Sequence, residues 1–158
     1  MPCGAGEVSA VLADGWLFGL WVVGSSRIRD VHAGWPSVGS KIHHSFGVWP
    51  ALIDDETECL AWQPDARLEL RARGWPAGEA SVVVTIQDRP TGCRVTIVED
   101  AVAGPGTFIP KPLRSVLLHW RNTESLRRLE YLAVGRAAGR PASIDSLDEG
   151  TTHHEEKS

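Results

Sequence analysis

Several side chains in this 158-residue sequence are of types that do acid–base or binding chemistry, and each has an ordinary structural alternative. His43 and His44 are adjacent, so on a strand they point to opposite faces and cannot chelate one metal together. His44 shares a parity with Ile42, Phe46 and Val48, which favours a hydrogen-bonded core histidine over a site residue. His43 falls on the solvent parity with Lys41 and Ser45. Asp54, Asp55, Glu56 and Glu58 crowd one strand, and most must face water because unpaired buried carboxylates are costly. Asp55 has the parity of Ile53 and Cys59 and is the one expected inside, with a raised pKa if unpaired. Glu99 follows Val95 and Ile97 on the inward parity. A carboxylate there can act as general base on an acidic carbon or a phenol. A salt bridge to a base such as Arg121 is the favoured alternative. Asn122 is the sharpest clue, because it interrupts an apolar stripe between Leu118 and Leu126 where Leu would simply pack. It either orients a ligand carbonyl or caps a neighbouring strand.

Other chemistries lack their signatures. No nucleophile sits in a recognisable elbow, no Gly-rich loop opens a helix after a strand, and no trio has metal-ligand spacing. Neither a metal nor an organic cofactor is therefore expected. Cys3, Cys59 and Cys93 are an odd number without short paired spacing, which suits reduced, buried thiols in a cytoplasmic protein. Five of the 20 acids and one of the 16 bases fall in residues 141–158, leaving 15 of each elsewhere. A body so balanced has no electrostatic footprint for nucleic acid. The longest apolar stretch, Gly15 to Val23, is well short of the roughly 20 residues of a membrane helix.

The elements that must hold these groups follow from periodicity. Val8, Val11 and Leu12 recur at helical spacing over 7–14, and Trp16 to Trp21 suits a turn or two of helix packed on a sheet. Alternation then predicts strands at Val22–Val31, Gly39–Trp49, Leu52–Trp62, Arg67–Trp75, Glu79–Asp88 and Cys93–Val102. Short separators such as Pro64-Asp65 and Arg89-Pro90-Thr91-Gly92 join neighbours antiparallel, because a parallel crossover needs a dozen residues or more. Leu113 to Gly135 reads as a long helix. One stripe holds Leu113, Val116, Leu117 and Trp120, and another holds Leu118, Leu126, Leu129 and Ala133, so both sides call for cover. Residues 1–137 make one domain, and the polar, acidic stretch 138–158 reads as a disordered tail. The fold class is α+β, a twisted antiparallel sheet around one long helix. Inward positions are mostly Val, Ile, Leu and Ala, while most of the seven Trp fall at strand ends, turns and short helices. Medium inward residues with a Trp-rich rim favour a ligand cavity with an aromatic mouth over a solid core.

This order of elements resembles the helix-grip fold of the START, polyketide cyclase and birch-pollen-allergen superfamily (SRPBCC), in particular its bacterial polyketide cyclase/dehydrase-like members. The stretches that carry the resemblance are EVSAVLADGWLFGLWVVG (7–24), DVHAGWPSVGSKIHHSFGVWP (30–50), LIDDETECLAWQPDARLELRARGWPAGEA (52–80), EDAVAGPG (99–106) and LLHWRNTESLRRL (117–129). The resemblance implies a curved sheet of six or seven strands gripping the last helix, and binding or cyclisation of apolar, often aromatic, polyketide- or lipid-like molecules. A non-catalytic interaction module or lipid carrier on the same fold is the alternative. On this basis the ligand is expected to meet His44, Phe46 and Asp55 on one side, Leu70, Val84, Ile97 and Glu99 on the sheet floor, and Leu118, Asn122 and Leu126 on the helix. Glu99, Asn122 and His44 are the candidates for catalysis. One departure matters: the family opens with a strand beside the last one, whereas residues 1–6 contain Pro2, Gly4 and Gly6 and make a poor strand. Either the edge stays open, which invites a homodimer, or the start lies upstream of Met1.

Overall fold

A computed structural model describes residues 1–48, 51–74, 78–103 and 111–139. Strands β1 (Ser25–Val31), β2 (Lys41–Val48), β3 (Ala51–Gln63), β4 (Arg67–Gly74), β5 (Gly78–Arg89) and β6 (Gly92–Ala103) form one antiparallel sheet in sequence order. Helices α1 (Ala5–Leu12) and α2 (Phe18–Trp21), joined through a 3-10 turn at Gly15–Leu17, precede it, and α3 (Lys111–Ala137) follows it. Among the described residues the sheet has six strands. Each expected strand is present, with ends shifted by up to three residues.

Turn chemistry explains the reversals. Asp65 takes φ 62 between β3 and β4, a conformation that Asp tolerates better than most residues. Gly92 takes φ 124 between β5 and β6, and a Cβ there would sit 2.2 Å from the Met1 carbonyl oxygen, so only glycine fits. Met1 and Cys93 exchange both backbone hydrogen bonds, at 2.8 and 3.1 Å, so the first residue pairs with the outer side of β6. The Asp65 backbone N–H donates to Ser9 Oγ at 2.6 Å, tying the β3–β4 turn to α1.

The strand register sorts the side chains into two faces. Outward, Lys41, Glu56, Glu58, Arg71, Arg73 and Glu79 form ion pairs across β2 to β5, with Arg73 bridging Glu56 at 2.9 Å and Glu79 at 3.2 Å. This accounts for the acidic crowding on β3. Inward, Ile42, Cys59, Leu68, Leu70, Val84 and Ile86 are buried. Ala5, Val8, Val11 and Leu12 of α1 join them, as do Leu129 and Ala133 of α3.

The packing is uneven along α3. Its main neighbours are α1, α2 and β6. Leu129 and Ala133 are fully buried and Ser125 nearly so, but Leu126 and Asn122, earlier in the helix, are only half-buried. Trp120 is 68% exposed, so the stripe that ends there is not covered on its side at that residue. The side chains of the rest of that stripe, and residues from 140 onward, lie outside the described residues. If α3 is anchored only by its second half, Leu129→Ala should cost about 3 kcal/mol and Leu126→Ala about 1 kcal/mol or less, read from urea midpoints. Equal costs would show that the helix is gripped along its length.

Candidate functional site

The inward register passes from large residues to small ones. Cys59, Leu70 and Val82 pair in one row, and the next row runs Thr57–Ala72–Ala80–Ala101 across β3 to β6. Beyond it, Gly74 pairs with Gly78. Cys59, Leu68, Leu70 and Val84 on the larger side are buried and so is Thr57, whereas Phe46, Ile53, Asp55, Ala72, Ala80, Val82 and Ile97 are half-buried. A concave sheet paved with Ala and Gly under a helix held at its far half leaves room above the floor. The links 49–50, 75–77 and 104–110, including Gly104-Pro105-Gly106, join elements at this end of the sheet and lie outside the described residues.

One wall is built by β2 and β3. His44 is 3% exposed, with Nε2 3.0 Å from Thr57 Oγ1 and its ring 5.3 Å from that of Phe18. Burial pushes its pKa down to about 4, so the imidazole is neutral at pH 7. It is a core histidine bonded on one side, since Nδ1 is buried and has no hydrogen-bond partner among the described residues. Asp55 pairs with His44 in the register and shares its face. Burial raises its pKa to about 6, although the Glu56 backbone N–H, donating to Oδ1 at 2.7 Å, pulls the other way. Phe46 packs its ring on the backbone of Gly24, where φ is 97 and a Cβ would meet the ring at 2.4 Å.

The opposite wall belongs to β6 and α3. Glu99 has only 5% of its side chain exposed and is ion-paired and hydrogen-bonded to Arg121. Its carboxylate is thus committed to the guanidinium, the alternative that the sequence favoured over a free general base. Arg121 Nε is buried and has no hydrogen-bond partner among the described residues. Half-buried Asn122 and Leu126 follow on α3, while Ser125 Oγ accepts from the Val23 backbone N–H at 3.2 Å and ties α3 to the α2–β1 link.

Of the residues singled out from sequence, Phe46, Asp55, Ile97, Glu99, Asn122 and Leu126 are half-buried. Leu70 and Val84 are buried in the packed half, and the Leu118 side chain lies outside the described residues. Trp21 and Trp35 also pack at the closed end, where Trp35 Nε1 donates to the Leu12 carbonyl at 3.1 Å. They do not form an aromatic mouth, and Trp49 and Trp75 lie outside the described residues. Arg121, Ala72 and Ala80 were not selected as lining. Their signal was present in small residues at consecutive inward positions, visible once the strands are aligned.

Neither a family model nor a curated protein matches the sequence. Solved structures do match the arrangement. Protein NE0264 from Nitrosomonas europaea superposes with a TM-score of 0.67 at 17% identity, over 87% of this chain and 92% of that one. The di-domain ARO/CYC StfQ from the steffimycin biosynthetic pathway gives 0.66 at 12% identity over 87% of this chain and 49% of its own. Ara h 8.0201 gives 0.61 at 10% identity, over 84% and 92%. The chain has the helix-grip fold. It is the fold of the SRPBCC superfamily that the sequence resembles, in a six-stranded form. The helix-grip chain spans about half of StfQ.

Two inward titrations oppose each other in this helix-grip core. His44 binds its proton less well folded than unfolded, so its contribution falls as pH drops from about 6.5 to about 4. Asp55 holds its proton more tightly folded, so its penalty is absent near pH 4 and complete above about 6. Relative to wild type, Asp55→Asn should gain on the order of 1 to 2 kcal/mol between pH 4 and pH 7. His44→Gln should show the opposite drift, losing ground to wild type over that interval. Urea unfolding at several pH values checks both signs.

Proposed function

We propose that this protein binds a small, largely apolar or aromatic molecule, polyketide- or lipid-like, in the hollow between the Ala/Gly floor and α3. The observation that carries the reading is the row Thr57–Ala72–Ala80–Ala101. It removes side-chain volume under the half of α3 where Asn122 and Leu126 remain half-buried. Apolar area left uncovered on a concave inner face is the surface a ligand of this class removes from water. Phe46, Ile53, Val82, Ile97 and Leu126 offer apolar contact, and Asn122 and Arg121 Nε offer hydrogen bonds to a ligand oxygen. The fold shared with the ARO/CYC StfQ supports cyclisation or dehydration as the chemistry of this reading.

For such chemistry, the group best suited to carry a proton is Asp55, whose pKa near 6 lets it exchange one close to neutrality. Glu99 holds Arg121 in place and so acts on the orientation of a ligand. His44, neutral and bonded to Thr57, braces the wall behind Asp55. A carrier without catalysis is the second reading, favoured by the ion pair that occupies Glu99. The three buried, free cysteines suit a cytoplasmic setting. A homodimer through an open sheet edge belongs to the same proposal.

Filling the floor tests the site. Ala80→Leu and Ala72→Leu should each weaken binding of the fluorescent probe 8-anilinonaphthalene-1-sulfonate by about tenfold or more, with urea midpoints unchanged or raised. Wild-type affinity in both variants would place probe binding elsewhere. With a turned-over polyketide, Asp55→Asn separates the readings: a carrier keeps its affinity, and a cyclase loses turnover while still binding.

A further inference from the structure

Two of the three cysteines meet. Met1 and Cys93 exchange both backbone hydrogen bonds, which lays the segment ahead of α1 along the start of β6. Cys3 then crosses the β5–β6 turn, where a Cβ on Gly92 would lie 3.3 Å from both its backbone N and its carbonyl O. Cys3 and Cys93 are 6% and 4% exposed and belong to the same apolar cluster. The Cys3 S–H donates a hydrogen bond to the Cys93 sulfur. With backbones this close, thiols in such contact need little more than a side-chain rotation to reach the bonding distance of a disulfide. Cys59 is placed differently: it is fully buried, and its thiol donates to the Pro36 carbonyl at 3.0 Å.

We propose that Cys3 and Cys93 form a thiol–disulfide exchange site for small disulfides such as oxidised glutathione. The product is an intramolecular disulfide that staples the segment ahead of α1 to β6. Cys93 loses its proton and attacks one sulfur of the small disulfide, which forms a mixed disulfide and releases one small thiolate to take up that proton. Cys3 then loses its proton, attacks the Cys93 sulfur of the mixed disulfide and expels the second small thiol. Two protein thiols are oxidised and one small disulfide is reduced to two thiols, so protons and electrons balance. Burial raises both protein thiols, Cys3 to about 11, while the Cys3 S–H partly offsets the rise at Cys93. Cys93 is therefore the first nucleophile, and exchange waits on an opening that exposes it.

The position of the pair provides that opening. Cys3 is flanked by exposed Pro2 and Gly4, and exposed Arg94 follows Cys93. Gly4 gives α1 no side-chain cap. Swinging residues 1–4 off β6 uncovers both sulfurs while α1 and the β5–β6 ladder stay in place, a local opening rather than global unfolding. Once formed, the cross-link joins positions about 90 residues apart. A closure of that length restricts the unfolded chain and so favours the folded one. Because α1 packs on α3, the staple makes the closed end of the core responsive to the thiol–disulfide balance around it. In a reducing compartment it is a transient state of the protein.

Equilibration of the full chain in buffers of reduced and oxidised glutathione tests the site, with acid quenching, alkylation and peptide mass spectrometry as the readout. The folded wild type should give the Cys3–Cys93 cross-link as its main oxidised product, with Cys59 alkylated as a free thiol. The same chain in concentrated urea should need about thirtyfold more oxidising buffer for half conversion, and the oxidised protein should unfold at a higher urea concentration than the reduced one. These readings do not depend on any variant folding. Cys59→Ser should oxidise as wild type does, whereas Cys3→Ser should stop at a glutathione adduct on Cys93. Several results overturn the proposal: thiols that stay reduced, glutathione adducts on Cys3 and Cys93 without a cross-link, a cross-link through Cys59, or one formed as readily in urea as in the folded chain. The pair lies outside the proposed hollow, so 8-anilinonaphthalene-1-sulfonate binding reports on the hollow separately, and either reading can fail alone.

Discussion

The structure depends on α3 being held by part of its length. Leu129 and Ala133 press into the layer made by α1, Leu68, Leu70 and Val84, and Ser125 is bonded to the Val23 backbone. Earlier on the helix, among the described residues, the Arg121–Glu99 pair ties it to β6. A helix pinned at one end and hitched at one edge can span small residues without collapsing onto them. Packing to normal density throughout would have closed the space, since interiors tolerate few voids. The proposed hollow rests on this anchoring, with Ala72 and Ala80 as its floor.

Charge is sorted by the same pleat. On β3, Asp54, Glu56 and Glu58 look outward, and the last two find bases on neighbouring strands. Only Asp55 turns inward, where burial raises its pKa although the Glu56 N–H and the charge of Arg73 offset it in part. Glu99, two strands beyond the central pair, is deeper but has Arg121. Two inward carboxylates therefore take different states, one fixed as an ion pair and one able to exchange a proton near neutrality. That division is set by a guanidinium on α3.

Much of this was legible in the residues. Alternation in Arg67–Arg73 and the separators at Pro64-Asp65 and Arg89–Gly92 led directly to β4 and its neighbours. Parity alone placed Asp55 and Glu99 inward and His43 outward, because a strand has period two. The roles within the hollow were less visible. Parity tells which face a residue takes but not how deeply it is buried, so Leu70 and Val84 looked equivalent to their half-buried register partners Val82 and Ile97. Rows depend on register between strands, and the register is set jointly by turns and by the irregularity at Cys59/Ala61. Trp35 was misplaced for a related reason: a turn residue in sequence, it folds back to donate to the Leu12 carbonyl.

The contact between α1 and the second half of α3 joins segments near opposite ends of the described chain. During synthesis α1 emerges first, while the helix that completes its burial emerges last. Until then Val8, Val11 and Leu12 have only the nascent sheet to shield them, through the β3–β4 turn that Ser9 engages. Non-local closure of this kind makes folding slow and leaves apolar surface open for much of translation. Vectorial assembly of this chain thus ends with its most buried layer, and a ribosome stalled before α3 would display a nearly complete sheet with an unsealed interior.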